Sequence, residues 1–135
     1  VHLVALGEAW TIAIKSNLDL AKTFKGIEVS SGNSFVHETE SQVILNGSYN
    51  INFTMDLVLK DTGLFDNLAK KLNAPLEISP KIVEIFKDGQ KKYGPRAWSS
   101  MIVKRMEDLN KIDFRANGFP DELVDNEPEE KGYEI

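Results

Sequence analysis

The chain has 135 residues, 41% of them hydrophobic and 27% charged, which suits one folded domain and excludes a wholly disordered or collagen-like chain. It has no cysteine and two histidines, which excludes a disulfide framework, a thiolate nucleophile and a cysteine zinc site, and argues against any metal centre. The net charge of −5 is concentrated in residues 113–135, and the nearly neutral remainder has no basic stripe for nucleic acid.

The first residues predict a buried helix that runs from residue 1 or 2 to about Ser16, with apolar side chains at helical spacing. It is too short to span a membrane and lacks the features of a signal peptide, so we expect a cytoplasmic protein without a membrane partner. No capping residue precedes it. This favours the C-terminal part of a longer chain, and a frayed or proteolysed terminus is the alternative.

Turn and cap signals place the next two helices. Asn17 suits the left-handed conformation that ends the first helix, and Asp19 is a capping residue for a second helix over residues 20–26. Residues 30–33 form a turn cluster. A third helix is predicted over residues 35–45, where an Asn-Gly pair breaks the pattern.

Three further helices follow. The longest begins at Asn52 or Thr54 and ends near Asn73. Ser79-Pro80 predicts the next one, with Ser79 as the cap, and Gly94-Pro95 ends it. The last is expected over residues 97–110.

The predicted fold class is therefore all-α, with five or six helices. Residues 43–45 and 49–53 are the strand-like runs, and a hairpin through them ranks below the helical interpretation because a lone hairpin is marginally stable. We expect a helical domain over residues 1–112. Residues 113–135 should form an acidic tail that is solvated or lies on a neighbour rather than in the core.

A Lys-Asp pair on the longest helix is the strongest candidate for a site. If the helix includes Phe53, then Phe53, Leu57, Lys60 and Asp61 lie along one side, with the two apolar side chains pointing inward. An ammonium group can donate to a cofactor amide or ribose, and a carboxylate can orient a substrate hydroxyl. In the alternative interpretation, which the pattern alone favours, Lys60 is a solvated residue paired with Asp56.

The segment from Phe53 through Lys60-Asp61 to Gly63-Leu64 resembles the Phe…Lys-Asp-Leu-Gly-Leu signature of the β-hydroxyacid dehydrogenases. That family includes enzymes like 3-hydroxyisobutyrate dehydrogenase, tartronate semialdehyde reductase and 6-phosphogluconate dehydrogenase. Four other segments resemble the family in the same order along residues 1–110: Gly7-Glu8-Ala9, Leu18-Asp19, Ser30-Ser31-Gly32-Asn33-Ser34-Phe35 and Pro75-Leu76.

The resemblance implies a C-terminal helical domain like that of 6-phosphogluconate dehydrogenase, preceded by a Rossmann domain that binds NAD or NADP. It places the catalytic lysine, in a Lys-x-x-Asn motif, just upstream of Val1, so no catalytic residue is expected in this chain. Lys60 would contact the nicotinamide end of the cofactor, and Phe53 and Asp61 would line the substrate pocket. Three residues depart from the pattern, namely Asn17 for Gly, Thr62 for Leu and Phe65 for Ala, and Phe65 would alter the pocket.

The parent would be a dehydrogenase that transfers hydride between the cofactor and a small 3-hydroxy acid, and this chain alone would be inactive. By the same resemblance we expect a homodimer or higher homo-oligomer, with Leu3, Leu6 and an exposed Trp10 in or near the contact. The alternative from another class is a non-catalytic helical dimerisation or scaffolding module. The sequence before Val1 discriminates between the two.

Overall fold

The computed structural model describes residues 1–123, which form six α-helices and a short 3₁₀ helix, with no strand in that part of the chain. The helices are α1 (His2–Lys15), α2 (Leu20–Glu28), α3 (Phe35–Asn46), α4 (Met55–Lys71), α5 (Ser79–Tyr93), the 3₁₀ helix (Ser99–Val103) and α6 (Lys104–Asn110). The predicted all-α class is confirmed. The hairpin alternative is wrong, because residues 43–45 are buried within α3.

Local signals determine where the first helices end. Asn17 adopts φ 57° after α1, and Gly47 adopts φ 97° after α3, so both occupy the left-handed region that stops a helix. Asp19 caps α2 by accepting from the Lys22 N–H over 2.8 Å. The predicted starts of α2 and α3 are confirmed, whereas α2 ends at Glu28, two residues later than expected.

One predicted helix cap and one predicted helix start are wrong. Ser79 does not cap α5, since its hydroxyl donates to Asp66 of α4 and Ile78 occupies the cap position. The last helix begins later than residue 97, because residues 95–99 run along the start of α4 instead. The Ser99 N–H donates to the Phe53 carbonyl over 2.8 Å, and a 3₁₀ turn then leads into α6.

Helix α1 lies at the centre of the fold and packs against α2, α3, the 3₁₀ helix and α6. Trp10 is fully buried there, and Leu3 and Leu6 are less than a tenth exposed. These three side chains therefore pack inside their own domain, and the expectation that they form a contact between subunits is wrong. Their apolar face is covered by α2, α3, the 3₁₀ helix and α6 of the same chain.

The two histidines have different surroundings. His37 is fully buried on α3, with its ring 4.6 Å from that of Phe24 and 5.9 Å from that of Trp10. Its ring nitrogens contact the Phe24 carbonyl and the Ser41 hydroxyl, both at 3.0 Å. His37 thus joins α2 to α3, while His2 is exposed.

The packed domain continues past residue 112. Phe114 is fully buried, and the Phe119 ring lies 5.1 Å from that of Phe24 in an edge-on arrangement. The Ala116 N–H donates to the Leu45 carbonyl over 3.0 Å. Residues 114–119 therefore pack against the domain, so the expectation that the tail from residue 113 lies outside the core is wrong for this segment. The acidic residues from Asp125 onward lie outside the described range.

Helices α4 and α5 form a hairpin at the edge of the fold. Gly89 allows α5 to approach the 3₁₀ helix, because a Cβ there would lie 2.6 Å from the Cδ1 of Ile102. In α4, Met55 is the one fully buried residue, so the outer face of this helix is largely exposed. Within residues 1–123, no helix has the length and apolar character that crossing a bilayer requires.

Candidate functional site

The start of α4 is fixed by backbone hydrogen bonds to the segment that follows α5. The N–H groups of Met55 and Asp56 donate to the carbonyls of Ala97 and Pro95 over 2.9 and 3.0 Å. The Asp56 carboxylate also accepts from Arg96 over 3.2 Å. These contacts orient the helix that presents Lys60 and Asp61.

The structure brings Lys60 and Asp61 together on the surface of α4. Their Nζ and Oδ1 atoms are 3.3 Å apart, and the side chains are 61% and 54% exposed. The alternative partner Asp56 is engaged by Arg96 and Thr54, so the specific pairing of Lys60 with Asp56 is not formed. An exposed pair of this kind adds little to stability, and both groups remain available to a ligand.

Phe53 lies outside α4, and its expected inward orientation on that helix is wrong. The helix begins at Met55, which occupies the buried position instead, and Phe53 is 37% exposed. Its backbone carbonyl accepts a hydrogen bond from the Ser99 N–H. Phe53 therefore does not share a helical face with Lys60 and Asp61.

An apolar cleft of about 510 Å³ opens between α4, the loop after it and the start of α5, and neither Lys60 nor Asp61 lines it. Phe65, half exposed, forms one wall, and Ile82 lies at the base with little exposure. The lining residues are Val1, Thr62, Phe65, Pro75, Leu76, Glu77, Ile78, Ser79 and Ile82. We refer to it as the α4–α5 cleft.

Polar groups are few in the α4–α5 cleft, and their hydroxyl protons are already used. Thr62 Oγ1 donates to the Val58 carbonyl over 2.8 Å, and Ser79 donates to Asp66. Glu77 supplies the charged group of the lining. Sequence reasoning missed this cleft, although Phe65 and the Pro75-Leu76 run were visible signals, because it forms only when the loop folds back on α4.

A second cleft, of about 400 Å³, lies between the first turns of α1 and the turn at residues 30–34. Its lining is more polar than that of the α4–α5 cleft. The Asn33 amide donates to Glu38 over 2.6 Å, while its Oδ1 is buried without a partner. Val1 lines both clefts, so they open side by side at the start of α1.

A half-buried carboxyl, that of Glu40, lies near the same end of α1. Burial raises the pKa of Glu40 to about 7. Within residues 1–123, no three His, Asp or Glu side chains are grouped as a metal site requires.

Comparison with known proteins gives a consistent result. Residues 1–106 match the family model described as NAD-binding of NADP-dependent 3-hydroxyisobutyrate dehydrogenase. A solved structure, 3-hydroxyisobutyrate dehydrogenase from Salmonella typhimurium, superposes with a TM-score of 0.70 at 25% identity, covering 77% of this chain and 36% of that one.

Two curated relatives are also dehydrogenases. L-threonate dehydrogenase from Haemophilus influenzae is 28% identical over 103 residues, which are 76% of this chain and 34% of the relative. 2-(Hydroxymethyl)glutarate dehydrogenase from Eubacterium barkeri is 29% identical over 112 residues, 82% of this chain and 37% of the relative. The chain thus spans about a third of the length of these relatives.

Proposed function

Since this chain belongs to the 3-hydroxyisobutyrate dehydrogenase family, in which its match is to the NAD-binding domain, we propose that it is the C-terminal domain of an NAD(P)-dependent 3-hydroxyacid dehydrogenase. In this proposal it contributes the substrate pocket, part of the nicotinamide site and an oligomer contact. The parent enzyme would contain an upstream Rossmann domain and a catalytic lysine before Val1. It would act in the cytoplasm on a small 3-hydroxy acid.

The observation that carries this proposal is the exposed Lys60–Asp61 pair on the surface of α4. Both side chains are more than half exposed, so neither is used in the domain core. Backbone hydrogen bonds fix the start of α4. Such a pair fits one side of a ligand that is largely covered by another domain.

The Lys60 and Asp61 side chains have the chemistry to bind a cofactor and a substrate, respectively. The Lys60 ammonium has three donors and no acceptor, so it can donate to the amide or ribose oxygens of a cofactor. The Asp61 carboxylate can accept from a substrate hydroxyl and orient it. A bound nicotinamide would supply the hydride acceptor or donor. Phe53, with its partly exposed ring, would line the substrate side of the pocket.

A second candidate function is a helical dimerisation or scaffolding module without chemistry. The exposed leucines of α4 favour it, because Leu64, Leu68 and Leu72 are each more than half exposed and could meet another subunit. This candidate explains the leucines and leaves the Lys60–Asp61 pair without a role.

The experiment compares this chain with the protein encoded by its complete reading frame. We expect the longer protein to contain a strand, a glycine-rich turn, a helix and a Lys-x-x-Asn step before Val1, and to oxidise a 3-hydroxy acid with NAD(P)⁺. The chain alone should show no turnover, since its sequence has no Gly-x-Gly-x-x-Gly turn. Turnover by the chain alone, or a reading frame without that upstream unit, would contradict the proposal.

A further inference from the structure

We propose that Asn117 is a site of spontaneous deamidation, at which the chain converts its own backbone to isoaspartate in the segment that packs on α3. The sequence has two Asn-Gly pairs, Asn46-Gly47 and Asn117-Gly118. An asparagine reacts most readily with its own main chain when glycine follows it, because glycine has no side chain to shield the next nitrogen. The structure gives the two pairs different reactivity.

The reaction at Asn117 consumes only water. The Gly118 nitrogen attacks Cγ of Asn117, a C–N bond forms and the bond from Cγ to Nδ2 breaks, so ammonia leaves with the proton of the Gly118 N–H. Water then opens the resulting succinimide ring at one of its two carbonyls. Opening at Cγ gives aspartate. Opening at the main-chain carbonyl gives isoaspartate, whose main chain runs through Cγ and is one methylene group longer.

The Asn117-Gly118 pair lies in an exposed turn. Gly118 has φ 88°, and apart from its chain neighbours no residue lies within 4 Å of the position that a Cβ would occupy there. Within residues 1–123, the Gly118 N–H donates to no backbone carbonyl. The succinimide ring can therefore close here without first breaking a backbone hydrogen bond.

The Asn46-Gly47 pair has an exposed asparagine too, but its reacting groups are occupied. The Gly47 N–H donates to the Val43 carbonyl, and the Asn46 amide donates to the Phe119 carbonyl, both over 3.0 Å. Arg115 also covers Gly47, since a Cβ there would lie 2.5 Å from the Nε of Arg115. This pair reacts only when these contacts open, so its rate is reduced to the fraction of time that they are open.

The two pairs are coupled through the segment that follows α6. The Phe119 carbonyl that engages Asn46 belongs to the same segment as Asn117, and the Ala116 N–H anchors this segment to the Leu45 carbonyl over 3.0 Å. An extra methylene group between Ala116 and Phe119 shifts the Phe119 carbonyl relative to that anchor, so its contact with Asn46 is lost. Isoaspartate at Asn117 therefore exposes the second pair to the same reaction.

The first test is to age the folded 135-residue chain in ¹⁸O-water at mildly alkaline pH and to follow both pairs by proteolysis and mass spectrometry. We expect Asn117 to convert at least about tenfold faster than Asn46, the scale of two ordinary hydrogen bonds. Each new carboxylate should carry one ¹⁸O atom, and fragmentation that distinguishes isoaspartate should find it at Asn117. In urea, which unfolds the chain, the two pairs should react at similar rates.

Two variants test the coupling. In the original chain, the reaction at Asn46 should accelerate as isoaspartate accumulates at Asn117. Asn117→Gln keeps an amide but lengthens the side chain, which prevents closure of the five-membered ring, so Asn46 should stay at its initial slow rate. Asn117→Glu is the matched control, because it adds the charge without the extra main-chain methylene group, and Asn46 should stay slow in it as well.

Three results would overturn the inference. They are equal rates of the two pairs in the folded chain, an Asn117 that reacts only in urea, and an Asn46 rate that does not respond to isoaspartate at Asn117. A fast reaction of Asn46 in Asn117→Glu would also contradict it, because the added charge rather than the longer main chain would then release the segment.

Discussion

Arg115 donates to the carboxylate of Glu107 over 2.9 Å, and the Glu107 side chain is only 1% exposed. The same carboxylate accepts from the Tyr49 hydroxyl and from the Phe114 N–H, the latter over 2.7 Å. Burial and the hydrogen bond to Glu107 raise the pKa of Tyr49, so its phenol stays protonated. One buried charge thus ties the segment after α6 to the loop between α3 and α4.

Arg115→Ala should therefore destabilise the domain. The substitution leaves Glu107 buried without its cation, and breaking such a pair from one side costs about 2–4 kcal/mol in the free energy of unfolding when one partner is partly exposed. Urea denaturation measures the change. The control is Arg96→Ala, which removes an exposed pair with Asp56 and should cost less than about 1 kcal/mol. Equal losses for the two variants would show that the buried contact is energetically unimportant.

Glu40 should give the domain a measurable pH dependence. Burial raises its pKa in the folded state to about 7, above the ordinary value of 4.5, so the folded state binds more protons between these pH values. The contribution of Glu40 is therefore favourable below pH 4.5 and is lost as the pH rises through 7.

The variant Glu40→Gln tests this pH dependence of stability. We expect the variant to be more stable than the original chain at pH 8 by about 1–3 kcal/mol and to show a flatter stability profile between pH 5 and pH 8. Glu84→Gln, at an exposed carboxylate of α5, is the matched control and should leave the profile unchanged. A wild-type profile that stays flat over that range would rule out a buried, protonated Glu40.

Self-association is expected through α4 rather than α1. Leu68 is 54% exposed and lies between Leu64 and Leu72, whereas Trp10 is fully buried. Leu68→Glu should weaken a dimer at least about tenfold, since a buried leucine contributes about 1.5–3 kcal/mol. Sedimentation equilibrium measures this, with Ile12→Glu on the exposed side of α1 as the control. A wild-type chain that remains monomeric at high concentration would remove the oligomer from the proposed function.

Helix caps and stops were predictable from sequence because they depend on residues a few positions apart. Asp19, Asn17 and Gly47 act as their residue types indicate. Phe53 and Ser79 did not behave as predicted, since each is engaged by a residue more than ten positions away that competes with the local signal.

The largest differences between the sequence predictions and the structure have the same physical origin. Periodicity identified an apolar face on α1, and it could not tell whether that face meets the rest of the chain or another subunit. Trp10 is covered by elements far along the sequence. The charged cluster of Tyr49, Glu107 and Arg115 joins residues up to 66 positions apart, so no local sequence pattern predicts it. The Lys60–Asp61 pair was visible in sequence, and the α4–α5 cleft, which forms only when the loop folds back on α4, was not.

The central claim is that Lys60 belongs to a cofactor surface, and kinetics of the enzyme that contains this chain test it most directly. Lys60→Ala should lower kcat/KM roughly tenfold to a hundredfold, because a charge-assisted hydrogen bond is worth about 1.5–3 kcal/mol. The free energy of unfolding should change by less than about 0.5 kcal/mol. Lys70→Ala, at an exposed lysine on the same helix, should leave kcat/KM within about twofold. Equal and negligible effects of the two substitutions would make Lys60 an ordinary surface residue and contradict the dehydrogenase site.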